Sequence, residues 1–389
     1  MEIYNIRTIM LDFWFLLGYN ASERKVMKMK GPYEASLLPI DKSLIDTNFF
    51  LDELIDATAS LEVYREKIRD SKLASSWFMP TLQNKEALAS SSLEGTQATL
   101  DGVLTGQILT KTQDQHINEV INYNNATLRG YEYLSINNFS KEFINELHGI
   151  LMKGDVRKRG PIGEYRREQN YIGKDDETHA ITYIPPEPGR VEPLMKNLIS
   201  YITSAKDNLR PLVRIAIIHA QFESIHPFMD GNGRVGRMLI PMYLYKEKQI
   251  DLPCFFISEA LEKDKLRYYS LLNDIRDNNA WSQWIKFFLA TVAQQCRKYI
   301  DIITAINNLY EKDLKVACDA TNSANMVDVI NLLYKYPIIN AKKISDYTGI
   351  PQTTVQRYLG ILTEKGILFS NNKKRYRVYQ YSGLLSIIR

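Results

Sequence analysis

Apolar residues recur along this chain at intervals of three and four, so most of its 389 residues read as helix. Lys42–Asp70 is a helical stretch with Leu51, Leu54, Ile55 and Leu61 on one stripe and Thr58 its one polar member. Met79-Pro80 interrupts the pattern, and a short helix follows over Asn84–Glu94, closed by Gly95. Ala87, Ser90 and Glu94 share a face of it. Lys111–Gln115 is a polar loop, and helices follow over Ile117–Tyr133 and Ser140–Lys153. In the second, Ser140 can cap and Phe143, Leu147, Ile150 and Leu151 form the apolar face. Pro161–Gly189 breaks the habit: it is rich in turn residues, and Ala180–Ile184 ahead of Pro185-Pro186 reads as part of a β-hairpin ended by proline.

Val191–Ala205 resumes the helical pattern with Pro193 in its first turn. Leu212–Phe222 is apolar almost all round, which suits a buried helix. A second buried helix starts near Asn232, with Val235, Met238, Leu239, Met242 and Tyr243 at helical spacing. Asp251–Ile257 is a short extended link, Glu259–Ile275 another helix, and Trp281 to Leu314 core and connecting helices. Beyond Asp319–Ala324 come short helices over Met326–Lys335 and Ala341–Thr348, then a third opened by Pro351. In that third helix Val355, Leu359 and Leu362 face inward and Gln352, Thr353, Gln356 and Arg357 outward. Ile367–Tyr381 reads as a hairpin turning at Asn371-Asn372, with Lys373, Lys374, Arg375 and Arg377 at the turn.

Composition narrows the class. Apolar content of 45% and charged content of 24% are those of an ordinary soluble protein. Cys254, Cys296 and Cys318 are widely spaced and odd in number, which argues against a disulfide framework or zinc cluster and for a reducing cytoplasm. The five histidines form no H-E-x-x-H arrangement, so a zinc hydrolase is not indicated. Ile9–Leu17 is too short for a membrane span and carries Asp12, so no membrane association is expected. It looks faintly like a signal peptide without a cleavage site, and Met27 or Met29 is the expected true start. From Asn325 onward ten Lys/Arg stand against three Asp/Glu, so the remainder carries −3 within a total of +4. A basic tail on a mildly acidic body marks a separate C-terminal domain with an acidic partner.

The chemistry concentrates in His226-Pro227-Phe228-Met229-Asp230-Gly231-Asn232-Gly233-Arg234-Val235-Gly236-Arg237, a loop between the two buried helices. Gly231 and Gly233 let backbone approach an anion, and the amides of a helix's first turn point at it. Arg234 and Arg237, one helical turn apart, can grip phosphates of one chain. Asp230 is an oxygen ligand of the kind Mg²⁺ takes beside phosphates. A neutral His226 could take a proton from an attacking hydroxyl. Together these residues specify nucleotide phosphate chemistry.

The run resembles the H-x-F-x-(D/E)-G-N-G-R-x-x-R signature of the Fic (Fic/Doc) family at all eight specified positions. The resemblance implies a mainly α fold: a Fic-type helical bundle with a β-hairpin flap, plus a small C-terminal winged helix-turn-helix domain. The expected divisions are a possible extension at 1–30, an N-terminal helical region at 31–115, the Fic catalytic domain at 116–316 and the winged helix at 325–389. It also implies AMP transfer from ATP to a Ser, Thr or Tyr hydroxyl of a target protein, with His226 as base and Mg²⁺ on Asp230. Gly231, Asn232, Gly233, Arg234 and Arg237 would hold the phosphates, and Phe228 would anchor the loop.

Three further features follow from the resemblance. Ser90-Ser91-Ser92-Leu93-Glu94-Gly95 is similar to the family's (S/T)-x-x-x-E-(G/N) inhibitory motif, in a helix near 84–95, so Glu94 is expected to pair with Arg237 and misplace ATP's phosphates. The hairpin would be a flap whose Thr182, Tyr183 and Ile184 pair with an extended target segment. Tyr269, in the Tyr268-Tyr269 pair, would lie near adenine. Other readings are removal of AMP, phosphoryl transfer, and a DNA-binding regulator with a nucleotide-sensing body; an intact Gly233 favours AMP over phosphoryl transfer. A homodimer, and DNA on the basic tail, are the remaining expected partners.

Overall fold

The computed structural model describes residues 31–389 apart from 72–74, 109–113, 155–159, 175–180, 205–206, 253–254 and 372–376. The expected N-terminal extension and the basic residues 373–375 therefore lie outside the described residues. Two short 3-10 turns, Lys42–Leu44 and Thr47–Phe50, are capped by Asp41 and Asp46. They lead into α1 (Leu51–Arg69). The expected stripe is wrong there: Leu51 and Ile55 are exposed, and the buried side is Ala57, Ser60, Leu61, Tyr64 and Ile68. Small and aromatic residues fill that contact, which packs along the long helix described below.

α2 (Ser75–Leu93) runs through Pro80 without breaking. Proline lacks an N–H and disfavours a helix interior, but six residues into a helix its loss touches only one early bond. Gly95, with φ +89°, follows the end of the helix as expected. α3 (Leu100–Gly106), α4 (Gln115–Ile136) and α5 (Lys141–Leu151) follow, with Thr99, Asp114 and Ser140 as side-chain caps. The hairpin consists of β1 (Ile172–Lys174) and β2 (Ile181–Tyr183), antiparallel with Ile172 opposite Tyr183.

α6 (Pro188–Ser204), α7 (Pro211–Ile225) and α8 (Asn232–Lys246) form the centre. α7 is buried from Leu212 to Ile225 except at Arg214, and α8 from Asn232 to Leu244, so both core helices stand as expected. α9 (Ser258–Lys263) and α10 (Lys265–Asn278) replace the single helix expected over 259–275. α11 (Trp281–Thr321) is one 41-residue helix that packs along α1 and α7 and continues into the C-terminal part.

There α12 (Asn325–Lys335), β3 (Ile338–Ile339), α13 (Ala341–Thr348), α14 (Gln352–Glu364), β4 (Phe369–Ser370), β5 (Tyr379–Gln380) and α15 (Ser382–Ile388) form a small module. Its sheet has the order β3-β5-β4, all antiparallel. On α14 Gln352, Thr353, Gln356 and Arg357 are exposed while Val355, Leu359 and Leu362 are buried, the division the spacing predicts. The module is docked on the N-terminal helices: Thr81 donates to the Tyr334 carbonyl at 2.7 Å, Lys343 to the Gln107 carbonyl at 2.7 Å, and Arg389 pairs with Asp101 at 2.5 Å. Among the described residues no helix is long and apolar enough to cross a membrane.

Candidate active site

The loop 226–231 joins two almost wholly buried helices, and its geometry is fixed by bonds that leave the reactive groups free. His226 ends α7 in the left-handed region (φ +50°), and Gly231 opens α8 at φ +78°. The Asn232 carboxamide closes the loop on itself, accepting from Phe228 N at 2.8 Å and donating to Phe228 O at 2.8 Å. Asn232 was expected to hold phosphate; its side chain is instead committed to the loop's own backbone. Phe228 is fully buried, as expected of an anchor.

Sequence reasoning missed the residues that brace this loop from outside. His148 stacks flat on Phe228, ring centres 3.8 Å apart. Its Nδ1 accepts from Gly163 N at 2.9 Å, which leaves Nε2–H to donate to the Asp230 carbonyl at 3.1 Å. Arg166 donates from Nε to His226 O at 2.9 Å, and its backbone N–H donates to Pro227 O at 2.8 Å. Asn170 donates to Phe228 O at 2.9 Å. Arg166 stood in the sequence beside Arg167, which is exposed, and nothing in the pattern separates an inward arginine from an outward one.

Arg234 and Arg237 are almost completely removed from solvent, at 2% and 0% side-chain exposure. Arg237 donates from Nε to Ser90 Oγ at 2.9 Å and from Nη2 to Ser90 O at 2.8 Å and Glu94 Oε1 at 2.7 Å. Arg234 lies 3.7 Å from Glu119 Oε2, which also accepts from Thr96 Oγ1 at 2.6 Å. Even so, Arg237 Nη1 and Arg234 Nε are buried with no hydrogen-bond partner. Buried donors of this kind cost free energy unless something pairs with them.

The Glu94 carboxylate lies over the first turn of α8. A Cβ placed on Gly233 would collide with Glu94 Oε1 and come within 2.8 Å of Arg237 Nη1. The Glu94 carboxylate thus sits where the glycine opens the helix N-terminus, and Ala87, Ser90 and Glu94 line up as the spacing predicts. Asp230 Oδ1 accepts from Gly231 N at 2.6 Å, and the side chain is one quarter exposed. Among the described residues no three His, Cys, Asp or Glu side chains converge as a metal cluster. A single carboxylate beside a phosphate cradle still suits Mg²⁺, which draws most of its ligands from water and phosphate.

Burial dominates the titration of the site. Desolvation, then the Arg276 charge, lowers His226 to about 3, and the Glu223 carbonyl offsets only part of this. Burial likewise lowers His148 to about 4 and His219 to about 3. All three imidazoles are therefore neutral at cellular pH, and His226 is poised as an acceptor. We expect NMR titration of ring-labelled histidine to show these three unprotonated at pH 5.5; midpoints near the ordinary 6.5 would refute the assignment. Burial raises the Glu223 carboxyl to about 7 against the pull of Arg237, a second acid near that arginine which the sequence did not single out.

The hairpin residues fare unevenly. The Tyr183 hydroxyl donates to Ser224 O at 2.5 Å, and its ring lies under Arg276 at 3.8 Å. That side chain is anchored inward, its hydroxyl bonded to the end of α7. Thr182 contributes backbone to β2, and Ile184 follows it. Tyr268 is buried and bonded to His219 at 2.9 Å, while Tyr269 is partly buried against it, ring centres 4.9 Å apart. Both tyrosines lie close enough to Arg237 to influence its charge.

Comparisons with known proteins place this geometry. Residues 138–244 match the Fic/DOC family and residues 51–132 match the Fic/DOC family N-terminal region. The chain is 34% identical over 145 residues to the protein adenylyltransferase Fic of Drosophila mojavensis, covering 35% of this chain and 25% of that one. It is 34% identical over 146 residues to the protein of the same name in Aedes aegypti, covering 35% and 26%. The matched stretch thus spans about a quarter of these relatives' length. The fold is similar to a Fic family protein from Desulfovibrio desulfuricans, with TM-score 0.53 and 19% identity over 90% of this chain and 98% of that one. It is also similar to a Fic domain containing signaling protein from Bacteroides thetaiotaomicron, with TM-score 0.52 and 19% identity over 64% and 98%.

Proposed function

We propose that this chain, which carries a Fic/DOC family domain and the family's N-terminal region, is a protein adenylyltransferase restrained by its own Glu94. The observation that carries the reading is the pair of buried guanidiniums with unpaired N–H groups at a helix N-terminus, one of them held by a carboxylate. ATP's phosphates supply the anion those donors lack, and Glu94 occupies the same place.

In the proposed reaction a target hydroxyl oxygen attacks the α-phosphorus as the bond to the β-phosphate oxygen breaks. Diphosphate leaves and the hydroxyl proton passes to neutral His226. The α8 amides and Arg234 hold the phosphate chain, and Arg237 neutralises its end once Glu94 yields. Asp230 would hold Mg²⁺, which neutralises charge on the phosphates. Arg166, His148, Asn170 and Asn232 keep His226 and the cradle in fixed relation, so positioning is built into the apo protein.

The reaction class is tested by which phosphate stays on protein. With ATP labelled at the α-phosphate, a Glu94→Gly variant is expected to label itself or added protein, and γ-label is expected to leave with diphosphate. Retention of γ-label would overturn AMP transfer in favour of phosphoryl transfer.

A further inference from the structure

Buried polar groups without partners also gather away from the proposed site, where α9 meets α11. An open recess of about 250 Å³ is lined there by Glu259, Glu262 and Lys263 of α9 and by Gln294, Gln295 and Lys298 of α11. Gln295 is 3% exposed, and its Nε2 has no hydrogen-bond partner among the described residues. Glu259 Oε2 is buried and unpaired as well. The other oxygen of that carboxylate is crowded, with Lys298 Nζ at 2.7 Å and Lys85 Nζ of α2 at 3.1 Å. Burial, followed by the Glu259 charge, raises the Tyr299 hydroxyl one turn further along α11, yet that hydroxyl too is without a hydrogen-bond partner.

A buried donor and a buried acceptor left unmade both cost stability, and a ligand that carries the complementary pair recovers both. One water takes up about 30 Å³ of liquid, so the recess has room for more than a single water. It is smaller than the pockets of roughly 300–1,000 Å³ that enclose drug-sized ligands. Its lining charges cancel, two carboxylates against two ammoniums. A simple anion meets Glu259 and Glu262 there, and a simple cation meets Lys263 and Lys298. A molecule with one charge of each sign is matched: its carboxylate accepts from Gln295 Nε2 and Lys298, and its ammonium donates to Glu259 Oε2.

We propose that this recess binds a small zwitterion, a free α-amino acid, with Gln295 taking its carboxylate and Glu259 its ammonium. The carboxylate that receives the ammonium is the one that holds Lys85, so the ligand is seated against the back of the helix that leads to Glu94. The inference does not rest on AMP transfer, since binding is measured without nucleotide.

The test is ligand-observed NMR on the full chain, with each of the protein amino acids offered singly and with acetate and methylammonium as half-ligands. At least one amino acid is expected to bind saturably with a Kd of about 1 mM or below, a modest affinity for so few atoms. Acetate and methylammonium each make half of the pairs and are expected to bind at least about tenfold more weakly. Glu259→Gln and Gln295→Met keep the length of the side chain and remove the charge or the amide. Each should weaken binding at least about tenfold, the factor for one charge-assisted bond. Lys298→Gln alters only the exposed rim and should weaken it about two- to fivefold. Melting temperature and circular dichroism verify that the variants are folded. Absence of binding by every amino acid at about 1 mM overturns the inference, as does acetate binding as tightly as any of them. Unchanged binding in the folded Glu259→Gln and Lys298→Gln proteins overturns it too, because the ligand then sits elsewhere.

Discussion

Replacing His226 with alanine is expected to lower AMP transfer by about 10²–10⁴-fold while nucleotide binding survives. The imidazole is the one group in the loop with a basic nitrogen free of a competing proton, since burial lowers it to about 3. Among the described residues no hydrogen bond joins it to Arg234 or Arg237, whose donors carry the phosphates in the proposed reaction. The loop should outlast the substitution because its shape depends on other groups. Arg166 holds the backbone carbonyl of residue 226, and Asn232 and His148 hold Phe228 and Asp230. Transfer is followed with α-labelled ATP, and binding by calorimetry with ADP and Mg²⁺. Wild-type transfer in the alanine variant would remove His226 from the proton path.

The opposite effect is expected from Glu94→Gly, in which transfer should rise on the order of 10²-fold, the factor associated with correcting a misplacement of about 1 Å. The Glu94–Arg237 bond is 2.7 Å long, with Arg237 fully buried and Glu94 about one third exposed, so in the proposed reaction the carboxylate competes with phosphate for a guanidinium that solvent barely screens. Two bonds to Ser90 remain after Glu94 is removed, and they keep Arg237 aimed at the cradle. Release should therefore appear as a changed rate with ordinary folding rather than as a loosened site. Glu94→Gln, which keeps the shape and loses the charge, should fall between the two proteins. Initial rates of α-label incorporation decide it, and equal rates in all three would exclude restraint by Glu94.

The parts of this architecture that depend on local periodicity were legible in the sequence. The buried pair α7 and α8, the cap at Ser140, the glycine at position 95 and the two faces of α14 follow from spacing and cap chemistry. The Ala87–Ser90–Glu94 face was legible for the same reason, as was Arg237 as its partner through the family resemblance. Errors arose where tertiary packing overrides local preference. Pro80 sits inside α2 because its neighbours support the helix, and the α1 stripe turned because Ala57 and Ser60 admit a close approach of α11. His148, Arg166 and Asn170 were invisible because each acts on the loop from 58 to 82 residues away. No spacing rule marks a partner at that distance. The bonds of the Asn232 side chain to the Phe228 backbone were likewise not legible from spacing.

α2 joins two places that are otherwise far apart. Thr81, near its start, is bonded to the Tyr334 carbonyl of the C-terminal module, and Glu94 follows its last turn. At a rise of 1.5 Å per residue the two points are roughly 20 Å apart along a stiff rod. Glu86 and Lys85 fix its middle on Ser258 and Glu259, and Lys265 closes its end at the Leu93 carbonyl. In thermodynamic terms, any displacement of the rod would be felt at both of its ends. Were a ligand of the C-terminal module to favour a displaced α2, it would strengthen nucleotide binding in the proposed reaction by a given factor, and nucleotide would strengthen that ligand by the same factor. Such a coupling would be reciprocal, whichever end were bound first.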